Sequence, residues 1–230
     1  MMKRLIIAPH VDDDVLGCGG ILDETCVVFY CGVDEQHRVS DSERNNEAVQ
    51  VAQRTGHFFW WPNRYIAPSE DGRLYSSGRG LVEDAAATYH CTREVNAYTL
   101  SSLISDFEKL LYAERPDEVY IPERGSYNQD HQTVFDAAMI ALRPHDEIPF
   151  VKRVLAYEQP HVLLWPSAVL LPINYYREID IEEKLARYEL MASQVRDMRS
   201  QDAIAAMAKL RGEAARVPFA EAFRIVRWVE

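Results

Sequence analysis

The sequence predicts a single α/β domain, a Rossmann-like three-layer sandwich in which a mostly parallel central sheet carries helices on both faces. Three observations lead there. Short β-branched apolar runs alternate with stretches at helical spacing through the first two thirds of the chain. A chain of 230 residues that is 47% hydrophobic has material for one full core and is short for two complete domains. The chemically distinctive residues gather just after strand-like runs, at the edge where open parallel sheets bind their ligands. We expect one domain over residues 1–230. Its Rossmann-like core spans about residues 1–157, and C-terminal helices with a final strand, about residues 158–230, complete the site.

Residues 3–8 and 25–31 are β-branched apolar runs and read as buried strands, with room between them, over residues 14–22, for only a short helix. Ser40, Asp41, Ser42 and Glu43 have the S-x-x-E spacing of a capping box, and the helix they open keeps Ala48, Val49, Val51 and Ala52 inward until Gly56. Residues 57–61 give a third strand. Residues 62–91 mix Pro, Ser, Gly and charge without periodicity, which predicts an irregular surface excursion. Val95, Tyr98, Leu103, Phe107, Leu110 and Leu111 then fall at helical spacing up to Pro116, and residues 118–121 form the next strand. A helix over about residues 128–142 and a strand over residues 151–157 follow. Helices from Ile181, opened by Asp180 and Glu183, and from Ala203 dominate the rest, and residues 223–229 alternate as a final strand.

Composition narrows the partners. A formal charge of −11 with a pI near 5.1 lacks the basic face that phosphate-backbone binding needs, so nucleic acid is excluded as a general partner. Lys3 and Arg4 precede only four apolar residues before Pro9, too few for a leader or anchor, and no later run reaches the length of a membrane helix. Cys18, Cys26, Cys31 and Cys91 form no C-x-x-C pair and are expected to be buried free thiols, in keeping with a reducing cytoplasm. Composition does not fix the oligomeric state and is compatible with a homo-oligomer.

The first strand delivers the chain into Pro9, His10, Val11, Asp12, Asp13 and Asp14. Three adjacent carboxylates raise one another's pKa unless a cation is present, and a divalent metal is the simplest remedy. Nitrogen from His10 with oxygen from an aspartate suits zinc better than magnesium or calcium. The fourth strand ends in a loop reaching Asn128, Gln129, Asp130 and His131, which a parallel sheet opens on the same edge, so His131 can complete a His, Asp, His set. Three protein ligands and an open position define a catalytic zinc site, one ion per chain. An acid of the first loop is then left beside the water the metal activates, and Asp12 is the choice for a base that takes its proton during attack on an amide carbonyl. Asp130 is placed to orient a ligand or the base.

These residues resemble the PIG-L/LmbE-like family of zinc N-deacetylases, whose motifs read P-H-P-D-D-E and either H-P-D-H or N-x-D-H. Residues 9–14 match the first and residues 128–131 the second. The resemblance implies ligand roles for His10, Asp13 and His131 and the base role for Asp12. It also implies an N-acetylated amino sugar or sugar conjugate as the small-molecule substrate. Arg44 and Glu47 fit the family's R-x-x-E helix start, and residues 171–175, 179–181, 193–194, 199–200, 211–212 and 220–223 are similar to further family segments. Three departures stand out: Val11 for proline, Asp14 for glutamate, and Asn128 for the histidine that many relatives use to assist the oxyanion or leaving group. Asparagine donates a hydrogen bond but carries no charge, which predicts a different pH profile.

Arg44, at a helix start, could reach a substrate carboxylate, phosphate or hydroxyl. His37, His57, His90, His145 and His161 read as surface or core histidines. Trp60, Trp61, Tyr65, Trp165, Tyr175 and Tyr176 read mainly as packing residues. Gly17, Gly19 and Gly20 let the short helix approach the sheet rather than forming a phosphate loop. Two alternatives remain: a metal-binding carbohydrate-recognition module without catalysis, motivated by Asn128 and the aromatics, and a magnesium-dependent haloacid-dehalogenase-type phosphatase, motivated by Asp12 and Asp14 as a D-x-D pair.

Overall fold

The computed structural model describes residues 2–32, 41–61, 64–68, 74–76, 80–82, 95, 98–125, 127–160, 172–196 and 199–230. Five parallel strands form its centre: β1 (Arg4–Ala8), β2 (Cys26–Tyr30), β3 (Phe58–Trp61), β7 (Glu118–Pro122) and β8 (Arg153–Tyr157), ordered β3-β2-β1-β7-β8. Antiparallel strands extend the sheet on both sides. β4 (Arg64–Pro68), β5 (Leu74–Ser76) and β6 (Gly80–Val82) continue it beyond β3, and β10 (Ala220–Trp228) and β9 (Tyr175–Glu178) continue it beyond β8.

The helices fall on two faces, as strands buried on both sides require. Ile6, Ala8, Val28 and Tyr30 point into a core shared with α1 (Asp13–Cys18), α2 (Asp41–Thr55), α5 (Ile181–Glu189) and α6 (Gln201–Ala215). Leu5, Ile7, Val27 and Phe29 point the other way, into a core with α3 (Leu100–Glu114) and α4 (Gln129–Ala141). The expected three-layer sandwich is the observed one. Ala48, Val49, Val51 and Ala52 are buried as their spacing predicts. Cys18, Cys26 and Cys31 are buried and in no disulfide. No helix among the described residues is long and apolar enough to cross a membrane.

The structure differs from the sequence reading at several places. Within residues 62–91 the chain forms the meander β4–β6, joined antiparallel to β3; strands of three to five residues are too short to write a readable alternation into the sequence. Val95 and Tyr98 precede α3 instead of belonging to it, because the Thr99 hydroxyl accepts from Ser102 N and sets the cap there. Likewise Ser200 caps α6, which starts at Gln201, two residues before the expected Ala203, and β10 begins at Ala220. Ser40 of the capping box, His37, His90, Cys91, His161 and Trp165 lie outside the described residues.

One glycine sets the height of the site loop above the sheet. A Cβ on Gly17 would lie 2.2 Å from Cδ2 of Tyr157, whose hydroxyl donates to the Ile7 carbonyl at 2.9 Å. Gly17→Ala is expected to lower stability by about 1–3 kcal/mol, the usual cost of overpacking, in urea unfolding. His57 is fully buried, and burial with help from Arg187 pushes its pKa down to about 3. The unfolded imidazole takes its proton near pH 6.5, so below that pH the unfolded state binds more protons and stability falls as the pH drops toward 3. We expect His57→Gln to flatten the stability profile between pH 6 and 4.5 by up to about 1.4 kcal/mol per pH unit, read from urea midpoints at several pH values.

Candidate functional site

The loop leaving β1 is shaped by its own polar groups. His10 N donates to Asp13 Oδ2 at 2.9 Å, and the Asp12 carbonyl accepts from Leu16 N at 2.9 Å, opening α1. Asp12 sits at φ 122°, ψ −26°, a conformation that costs a non-glycine residue free energy and persists only where its surroundings enforce it. The enforcing contacts are visible. Arg44, buried at the start of α2, donates from Nη2 to the Val11 carbonyl at 2.5 Å and lies 3.4 Å from Asp12 Oδ1. Arg199 donates from Nη1 to Asp12 Oδ2 at 2.8 Å.

The second strand end supplies the partner. Asn128 caps α4 through its Oδ1, which accepts from Asp130 N at 2.8 Å, and this turns His131 inward in the first turn of the helix. His10 Nδ1 and His131 Nε2 then lie 3.4 Å and 3.3 Å from the same oxygen, Asp13 Oδ2, with the two rings 5.3 Å apart. One donor atom from each of His10, Asp13 and His131 falls within 4.8 Å of the others, and all three residues are buried.

Each side of this set is supported from behind. Asp13 Oδ1 accepts from Gln159 Nε2 at 2.6 Å, just past the end of β8. His10 Nε2 lies 2.9 Å from Asp130 Oδ2; an ionised carboxylate only accepts, so Nε2 carries the proton and Nδ1 faces Asp13. A histidine whose far nitrogen is bonded to a carboxylate is the arrangement metal-binding imidazoles use to fix ring and tautomer.

The electrostatics fit a cation. Burial works against a charged His10, yet its contacts with Asp13 and Asp130 outweigh that and raise its pKa to about 10. A proton on the ring therefore stands where a metal would. Burial also opposes the Asp13 anion, and the two histidines overcome it, holding the carboxyl well below its ordinary range. Burial raises the pKa of Asp12 against the pull of Arg199 and Arg44. Asp14, fully buried and bonded by the Tyr30 hydroxyl at 2.8 Å, is pushed up to about 7, chiefly by burial. Two imidazoles and one carboxylate around one point, leaving a position open, suit zinc by number and type of donor.

The residues singled out from sequence thus have distinct places. His10, Asp13 and His131 converge, Asp12 adjoins them, Asp130 backs His10, Asn128 caps α4, and Asp14 and Arg44 lie beneath the loop. Gln159 and Arg199 were not among them as site residues. A polar residue soon after a buried strand was the available signal for Gln159, whereas residues 199–200 were noted only for their similarity to a family segment, with no role for Arg199. Glu47 ties this C-terminal segment down, accepting from Ser193 N at 2.7 Å and Ser193 Oγ at 2.6 Å. His145 is exposed, Trp60 donates from Nε1 to Glu114, and Tyr175 packs on Phe223 and Trp228. Asp130→Asn keeps the helix start but removes the negative charge behind His10, and is expected to weaken the binding of added zinc by about 10–100-fold in competition with a chromogenic chelator.

A family model described as PIG-L: GlcNAc-PI de-N-acetylase matches residues 5–142. No curated protein matches the sequence. Among solved structures, the chain is similar to the conserved protein TT1542 from Thermus thermophilus at 20% identity and a TM-score of 0.72, covering 100% of this chain and 97% of that one. It is similar to the N,N'-diacetylchitobiose deacetylase from Pyrococcus horikoshii at 19% identity and a TM-score of 0.68, over 97% of this chain and 83% of that one. GalB, the 4-carboxy-2-hydroxymuconate hydratase from Pseudomonas putida, is similar at 16% identity and a TM-score of 0.67, over 100% and 99%. At these identities the likeness is one of fold.

Proposed function

The chain belongs to the PIG-L family, and from that membership we propose that it is a zinc-dependent deacetylase of an N-acetylated amino sugar or sugar conjugate, with one ion held by His10, Asp13 and His131. Zinc, when bound, supplies polarisation of the amide carbonyl and of the attacking water. The chain's own residues do the rest. Asp12 accepts a proton from that water as it attacks the carbonyl carbon, and returns it to the leaving amine nitrogen as the C–N bond breaks. Arg199 and Arg44 hold the Asp12 carboxylate in a strained backbone position beside the donors, so no reorganisation is needed during reaction. Gln159 and Asp130 fix the orientation of Asp13 and His10. Asn128 is neutral where many relatives carry histidine, so Asp12 alone serves as the proton carrier. In this reading residues 1–157 form the core, and residues 158–230 complete the site through Gln159 and Arg199. Buried free cysteines support a cytoplasmic setting.

The observation that carries the reading is the buried Asp12 carboxylate directly beside the convergent His10, Asp13 and His131. It also speaks against a binding module without catalysis, which has no use for an aspartate strained into that position. The family matched and the structures named give the phosphatase alternative no support. The zinc-loaded protein should release acetate from at least one member of a panel of N-acetylated sugars, followed by liquid chromatography and mass spectrometry. Asp12→Ala should keep its zinc and lose roughly 10²–10⁴-fold in turnover. Full activity in that variant sinks the mechanism, and no acetate from any substrate favours the binding module.

A further inference from the structure

The edge of the sheet opposite His10, Asp13 and His131 holds a cavity of about 580 Å³, in the size range of small-molecule sites. It opens where β1, β7 and β8 begin, between the turn after α1 and the strands β9 and β10. Its wall carries four arginines, Arg4, Arg153, Arg177 and Arg187, against Asp23, Glu118 and Glu178. That is a local positive excess on a chain of net charge −11.

Glu118 is buried at the centre of this cluster. Arg177 donates to its Oε2 at 2.6 Å, Arg153 to its Oε1 at 3.3 Å, and the Tyr120 hydroxyl to Oε2 at 2.9 Å. One carboxylate thus anchors two guanidiniums and a phenol, while Arg4 Nε stands 4.0 Å away. Each guanidinium has five N–H donors, and the acceptors the protein supplies fall well short of that number. Arg4 gives Nη1 to the Ile21 carbonyl at 3.0 Å and to Asp23 Oδ2 at 2.9 Å, and the side chains of Arg4, Arg153 and Arg177 remain 17%, 30% and 21% exposed. Beside the arginines lies an aromatic shelf. Tyr175 and Trp228 have ring centroids 5.5 Å apart, with Arg153 4.8 Å over Trp228 and Arg177 5.7 Å over Tyr175. Arginines pre-set by stacking and by one buried anchor, with donors to spare, are suited to bidentate recognition of phosphate oxygens.

We propose that this cavity binds a small phosphorylated molecule bearing a planar ring, its phosphate held by Arg4, Arg153 and Arg177 and its ring against Tyr175 and Trp228. The site is separate from the metal donors, and its occupancy does not depend on the deacetylase reading. Isothermal titration of the zinc-loaded protein with ADP and with inorganic pyrophosphate tests it. Both should bind saturably, ADP more tightly, and Trp228→Ala should erase the advantage of ADP. Arg153→Gln should weaken both by about tenfold or more. Glu118→Gln, which removes the anchor that pre-sets Arg153 and Arg177, should weaken both. Absence of binding by either probe overturns the proposal. So does binding that persists in Arg153→Gln but disappears in His131→Ala, since that places the probe at the metal donors.

Discussion

The carboxylate of Asp13 is the point on which the site's geometry depends. Its Oδ2 takes a hydrogen bond from His10 N and faces both imidazoles, and its Oδ1 takes one from Gln159. Those contacts join the end of β1, the start of α4 and the residues after β8 through two oxygen atoms. A buried anion with so many donors is stable only while all of them are in place, which makes the loop rigid without any covalent link. The sheet makes the convergence possible. Its parallel centre sends the ends of β1, β7 and β8 to one edge, and Gly17 lets α1 settle against the Tyr157 ring, which bonds back to β1.

The same logic of concentrated charge governs the other edge, with the sign reversed. Around His10, Asp13 and His131, acidic groups gather and two histidines and two arginines balance them. Where the parallel strands begin, arginines gather and Glu118 balances them. Burying any of these charges alone would cost several kcal/mol, so each persists only within its set of partners. The two ends of a single sheet therefore present opposite electrostatic characters, with the apolar strands between them as insulation.

Much of the fold was legible because buried parallel strands leave continuous apolar runs and because caps such as Asp180 are local chemistry. The convergence of His10 with His131 was also legible, since strand order in parallel sheets puts their loops on one edge. The meander β4–β6 was not, because strands of three to five residues are too short for a readable period-2 pattern. Arg199 was hidden for another reason. It acts on Asp12 from 187 residues away, and separation of that size leaves no spacing to read. Glu118 looked like an ordinary first residue of a strand, and only the fold gathers its arginines around it.

The supports of the first loop are spread unevenly along the chain. During synthesis Gln159 leaves the ribosome 146 residues after Asp13, which it holds, and Arg199 follows Asp12 by 187. A nascent chain long enough to carry His10, Asp13 and His131 still lacks both of these supports. The site is thus completed late although its first motif is made early, which keeps a strained acidic loop without its finished geometry until the C-terminal helices have docked.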